Sequence, residues 1–79
     1  MCQELIKNLH LLHTTELGAV RLRRNLRLDI VNVVEWCRKQ IENAERIERR
    51  GKNWYVSADG AVITVNAGSF TVITAHAVK

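Results

Sequence analysis

The chain has 79 residues, a net charge of +4, 47% hydrophobic residues and 25% charged ones. A chain this short buries only about 60% of the surface its unfolded form exposes, so one core and a single domain spanning 1–79 are expected. The balance of apolar and charged residues excludes a disordered or fibrous chain, and the longest apolar runs fall far short of the roughly 18 residues that span a bilayer.

Helical periodicity governs residues 1–43. Leu5, Leu9 and Leu12 recur at helical spacing with Ile6 beside them, which predicts a helix over 3–12 that ends near His13. Thr14 and Thr15 are good cap residues and Glu16 complements the dipole of a first turn, so a second helix runs from Glu16 to Leu26. Asp29 is placed to cap a third helix, whose Ile30, Val33, Val34, Cys37 and Ile41 form one buried stripe. On its far side Glu35 with Lys39, and Arg38 with Glu42, fall at i, i+4, the spacing of solvated ion pairs.

From Ala44 the period changes to two, and the sheet half covers 44–79. Gly51-Lys52, Asp59-Gly60 and Ala67-Gly68 divide it into strands at about 45–50, 53–58, 61–66 and 69–76. If all three turns are two-residue loops, Arg50 faces Asn53, Ala58 faces Ala61 and Asn66 faces Ser69. One face then collects Ile47, Trp54, Val56, Ala58, Ala61, Ile63, Val65, Phe70 and Val72 as core. The other collects Arg46, Glu48, Arg50, Asn53, Tyr55, Ser57, Thr64, Asn66, Ser69 and Thr71, with Val62 and Ile73 between them. The expected fold is α+β, with three N-terminal helices packed on one face of a four-stranded antiparallel β-meander.

Chemistry-bearing residues fall in three groups. On the open sheet face, Arg46, Arg50 and Tyr55 lie close together, with Lys52 at the first hairpin; cations, hydroxyls and a stacking ring are what phosphates and bases engage. In the second helix, Arg21, Arg23, Arg24 and Arg27 form a run whose mutual repulsion points to an anionic partner, although a charged helix face is ordinarily only a solvated one. His10 marks the first helix, His13 lies at a helix junction, and His76 ends the last strand on the helix side unless a bulge intervenes. His13 and His76, with the Thr71 hydroxyl, are the candidates for acid, base or nucleophile work.

No histidine pair has metal-ligand helical spacing, so no metal and no cofactor are expected. Cys2 and Cys37 suggest neither a disulfide framework nor a zinc site, and Cys37 reads as a buried free thiol. With no signal-peptide pattern, the expectation is a cytoplasmic protein that does not engage a membrane.

Two segments carry a resemblance: His13-Thr14-Thr15-Glu16-Leu17-Gly18 followed by Arg21 to Leu26, and Arg50-Gly51-Lys52-Asn53-Trp54-Tyr55-Val56 with Ile63-Thr64-Val65-Asn66 and Val72-Ile73-Thr74-Ala75-His76. They resemble a family of short uncharacterised bacterial and mobile-element proteins, a domain of unknown function, over most of the chain. That resemblance implies no activity. A weaker architectural likeness is to the metal-independent ribonucleases of the barnase and toxin type, which implies Arg46, Arg50, Lys52, Tyr55, Thr71 and His76 as candidates on an RNA-cleaving face. The leading expectation is a small basic interaction module that binds RNA or a nucleic-acid-containing protein complex, with an acidic protein surface as another partner. A toxin-like ribonuclease and a mobile-element inhibitor of a host defence nuclease are the alternatives.

Overall fold

The computed structural model describes residues 2–27 and 32–77. The chain is α+β: α1 (Cys2–Lys7), a 3-10 turn (Leu9–Leu11), α2 (Glu16–Leu26) and α3 (Val33–Glu42) precede β1 (Arg46–Arg50), β2 (Asn53–Ala58), β3 (Ala61–Asn66) and β4 (Val72–Ala77). The strands form one antiparallel sheet in the order β1-β2-β3-β4. Asp29 and Ile30, and the side chain of Cys2, lie outside the described residues.

The first helix is shorter than its leucine spacing predicts. The Asn8 carboxamide donates to the Glu4 carbonyl at 2.8 Å, an asparagine competing with the backbone as this residue type does, and the chain continues as the 3-10 turn. The second helix has the predicted bounds. Thr15 caps it by accepting the Gly18 amide proton at 2.9 Å, and it ends where Arg27 enters the left-handed region at φ 56°.

Asn32 caps α3 by accepting from the Glu35 amide. The ion pairs on α3 differ from those the spacing suggests: Glu35 pairs with Arg38 one turn on, at i, i+3. Arg38 also donates through Nε to the Leu9 carbonyl at 3.0 Å. Its fork is drawn to the carbonyls of Leu9, which also accepts from the Leu12 amide, and of Leu12 at 3.4 Å.

The first two turns are two-residue loops and carry the left-handed residues that such loops require. Gly51 has φ 60°, and Asp59 and Gly60 have φ 49° and 76°. Registers follow as predicted, with Arg50 opposite Asn53 and Ala58 opposite Ala61.

The third turn departs from the expectation. Asn66 Oδ1 accepts from the amides of Gly68 and Ser69 at 2.9 and 3.0 Å, so its side chain builds the loop in the manner of an Asx turn. The loop therefore holds Ala67–Phe70, with Phe70 at φ 61° and its ring 5.4 Å from that of Trp54. The last strand starts at Val72 rather than 69, and Asn66 does not face Ser69. Val65 pairs with Val72, yet Thr64 pairs with Thr74, so Ile73 is an extra residue in β4. Beyond that bulge every side chain changes face. Ala75 pairs with Ile63 and is fully buried, whereas His76 pairs with Val62 and is exposed.

One buried cluster joins Leu5, Leu9, Leu12, Leu22, Val33, Cys37 and Ile41 to Trp54, Val56, Ile63, Val65, Val72 and Ala75. Ile47 and Phe70 pack against it partly buried. Burial pushes the Cys37 thiol from its ordinary 9.0 up to about 12, because the thiolate loses its water there. Among the described residues no helix is long and apolar enough to cross a membrane.

The edge of β4 is closed by the segment before α2. His13 bridges to Thr71 in parallel, donating its amide to the Phe70 carbonyl at 3.2 Å and accepting from the Val72 amide at 2.7 Å. The Thr14 hydroxyl donates to the Val72 carbonyl at 2.9 Å. Gly18 is buried beneath this contact, and a Cβ there would stand 2.3 Å from Thr14 Oγ1.

Two outcomes follow for stability. Gly18→Ala, which in an open helix gains about 1 kcal/mol, should destabilise the parent chain and cost less in a Thr14→Ala background, where the 3.1 Å approach to Thr15 Oγ1 remains; equal effects in both backgrounds, by chemical denaturation, would refute the clash. A raised thiol supports the fold fully below pH 9 and loses that contribution as pH climbs from 9 through 12. Stability should fall more steeply with pH over that window in the parent than in Cys37→Ala, by up to about 1.4 kcal/mol per pH unit; parallel curves would contradict the burial effect.

Candidate functional site

Strand pairing arranges the polar face in rows. Arg50, Asn53 and Asn66 lie in register across β1, β2 and β3. The Asn66 amide donates to the Thr71 carbonyl at 2.9 Å, and Thr71 bridges to His13. Five chain segments thus put one polar residue each, Arg50, Asn53, Asn66, Thr71 and His13, in a line of four gaps, roughly 19 Å at about 4.8 Å per gap. The next row outward is Glu48, Tyr55, Thr64 and Thr74, and beyond it come Arg46, Ser57, Val62 and His76.

At the β1 end the charges are concentrated. Two-residue periodicity puts Arg46, Glu48 and Arg50 on one side of β1, and the Glu48 carboxylate lies 3.8 Å from Arg46 Nη2 and 3.6 Å from Arg50 Nε. The Arg50 guanidinium carbon stands 4.6 Å from the centroid of the Tyr55 ring, within cation–π range. Lys52 is exposed at the adjoining hairpin, where its carbonyl accepts from the Ala67 amide at 2.7 Å. Thr64, in the centre of the face, is only 7% exposed, so the exposed polar groups of this face lie at its rim more than in its middle. Arg49, on the opposite side of β1, lies 5.5 Å from the Trp54 ring and donates to the Gly51 carbonyl; sequence reasoning passed over it because the alternation assigns it to the core side.

At the β4 end, His13 and Thr71, 58 positions apart, are joined. His13 Nδ1 is 2.9 Å from the Leu11 carbonyl oxygen, which can only accept, so that nitrogen carries a proton. In the neutral ring Nε2 then accepts from the Thr71 hydroxyl, 3.0 Å away. The Ser69 hydroxyl lies 2.7 Å from Thr71 Oγ1 and 3.1 Å from Asn66 Oδ1, with one proton for two acceptors. No local signal could have revealed this chain, because it depends on the parallel bridge.

His76 shares a face with its partner Val62, opposite to that of the buried Ala75, but stands five residues from Thr71, about 16 Å at strand spacing. The two histidines are therefore not brought together. Of the arginine helix, Arg21 and Arg24 are exposed and Arg23 is half-buried. Arg27 follows the last helical residue in the left-handed region, its amide donating to the Arg23 and Arg24 carbonyls. Arg27 instead shares an open cleft of about 580 Å³ with His76, Asn25, Leu26 and Ala77. His10 is exposed on the 3-10 turn. Among the described residues there is no cluster of three or more metal-ligating side chains.

A family model described as Protein of unknown function (DUF3781) matches residues 6–76. Comparison with curated proteins and with solved structures found no match.

The His13–Thr71 contact should be visible as coupling. His13→Ala and Thr71→Val, singly and together, are expected to show an interaction free energy of about 0.5–1.5 kcal/mol in chemical denaturation. Additivity of the two changes would mean that the hydrogen bond contributes nothing.

Proposed function

We propose that the chain, which belongs to the DUF3781 family, is a non-catalytic module that binds single-stranded RNA across the polar side of its sheet. The carrying observation is the line of Arg50, Asn53, Asn66, Thr71 and His13, with Arg50 held over Tyr55. Amides and hydroxyls at successive strand positions can meet 2′-hydroxyls and base edges, and an arginine plane or a tyrosine ring can stack a base. The reading takes the helices to lie on the Trp54 side of the sheet. Support for that comes from the joint burial of Leu5, Leu22, Cys37 and Ile41 with Trp54, Val56 and Ile63, while Arg46 and Arg50 keep 73% and 65% of their side-chain surface exposed.

Glu48 sets the affinity of this surface. Its contacts with Arg46 and Arg50 are long and exposed, worth about 0–1 kcal/mol each, so a phosphate can displace the carboxylate at small cost. Catalysis has less behind it, because His13 and His76 stand at separate ends of β4 and Glu48 is held between two arginines.

Anisotropy titration of a labelled single-stranded RNA tests this. Arg46→Ala with Arg50→Ala should weaken binding and reduce the slope of log K against log salt by about 1.4, or 0.7 for each lost phosphate contact. Glu48→Gln should strengthen binding, and the RNA should be recovered intact. Unchanged affinity and slope in the double variant would exclude the sheet face, and cleaved RNA would favour the ribonuclease reading.

A further inference from the structure

The outward side of α2 combines two features that RNA binding does not explain together. At 100° per residue, Leu17, Val20, Arg21 and Arg24 fall within about a 100° arc, opposite the buried Gly18 and Leu22. Leu17 is 77% exposed and Val20 49%. A lone exposed leucine is ordinary. Here the two apolar side chains are neighbours at i, i+3, and with Glu16, Ala19 and Arg23 they line a groove of about 450 Å³. Arg21 and Arg24 on the same helix, and Arg27 just after it, are exposed and meet no carboxylate among the described residues.

We propose that this face of α2 docks an acidic amphipathic helix of another protein. An apolar side chain of the partner enters the groove against Leu17 and Val20, and its flanking carboxylates meet Arg21 and Arg24. Phosphates alone would leave the two apolar side chains in water, and their burial is where the stabilisation lies. A second copy of the chain would set arginines against arginines, since the stretch from Glu16 to Arg27 carries four arginines and one glutamate.

The probe is a synthetic peptide of about four helical turns, with leucines at i, i+3 and i+7 and glutamates beside them. A scrambled peptide of the same composition, a single-stranded RNA and vesicles of phosphatidylcholine with phosphatidylserine are measured alongside. The patterned peptide should bind about tenfold more tightly than the scramble. That affinity should fall about tenfold with Leu17→Ser plus Val20→Ser, and about tenfold with Arg21→Glu plus Arg24→Glu. All four residues are exposed, so the variants should fold, and far-ultraviolet circular dichroism checks that they do.

Equal affinity for both peptides, or no saturable binding of either, overturns the proposal. So does a patterned-peptide affinity that either double variant leaves unchanged. Loss of RNA binding in the arginine variant makes α2 a phosphate surface, Leu17-dependent uptake by vesicles makes it a membrane contact, and a Leu17-dependent dimer in sedimentation makes it a self-association face; each overturns it. The residues tested are not those of the sheet face, so either reading can fail without the other.

Discussion

A strand alternates its side chains between two faces, and in this sheet that alternation is broken once, at Ile73. Everything on the polar face beyond the third turn depends on that extra residue. Before it, Val72 is buried in the core; after it, Ala75 is the buried residue, and Thr74 and His76 share the face of Thr64 and Val62, where the Thr74 hydroxyl accepts from Asn25 of α2 at 3.4 Å. Without the bulge, Thr74 would fall opposite Ile63 in the buried position that Ala75 fills, and the Ala75 methyl would fall opposite Val62. Burying a hydroxyl without a partner costs about 1–3 kcal/mol, which the inserted residue avoids.

The two edges of the sheet are protected differently, and the difference shapes the candidate site. β4 is covered by the His13 bridge, the Thr14 hydroxyl and α2, so its edge is closed by the chain itself. β1 is left at the other edge of the sheet and reads Arg46, Ile47, Glu48, Arg49, Arg50. Charge on an edge strand discourages pairing with another chain. That role requires charge of either sign but does not require a guanidinium over a tyrosine ring, and the contact between Arg50 and Tyr55 is the feature on which the proposed RNA surface rests.

Local signals carried α2 and the first two hairpins into view, because the Thr15 cap, the glycine turns and the two-residue period each act within a few residues. Where they failed, a side chain competed with the backbone or a partner came from far away. Asn8 and Asn66 each used a carboxamide to reshape the chain, cutting the first helix short and lengthening the third turn. Arg38 turned from its helical neighbour Glu42 to carbonyls 26 and 29 positions earlier. The polar composition of the open face was legible from alternation alone. Its continuation through Thr71 to His13 was not, since nothing within either segment announces the bridge.

The most direct measurement is a nuclear magnetic resonance titration of the isotope-labelled chain with a short single-stranded RNA. Binding on the sheet requires that saturable shifts gather at Arg50, Asn53, Tyr55, Asn66 and Thr71, with α2 little affected. Shifts confined to Arg21 and Arg24, or no saturable shifts at all, would contradict it.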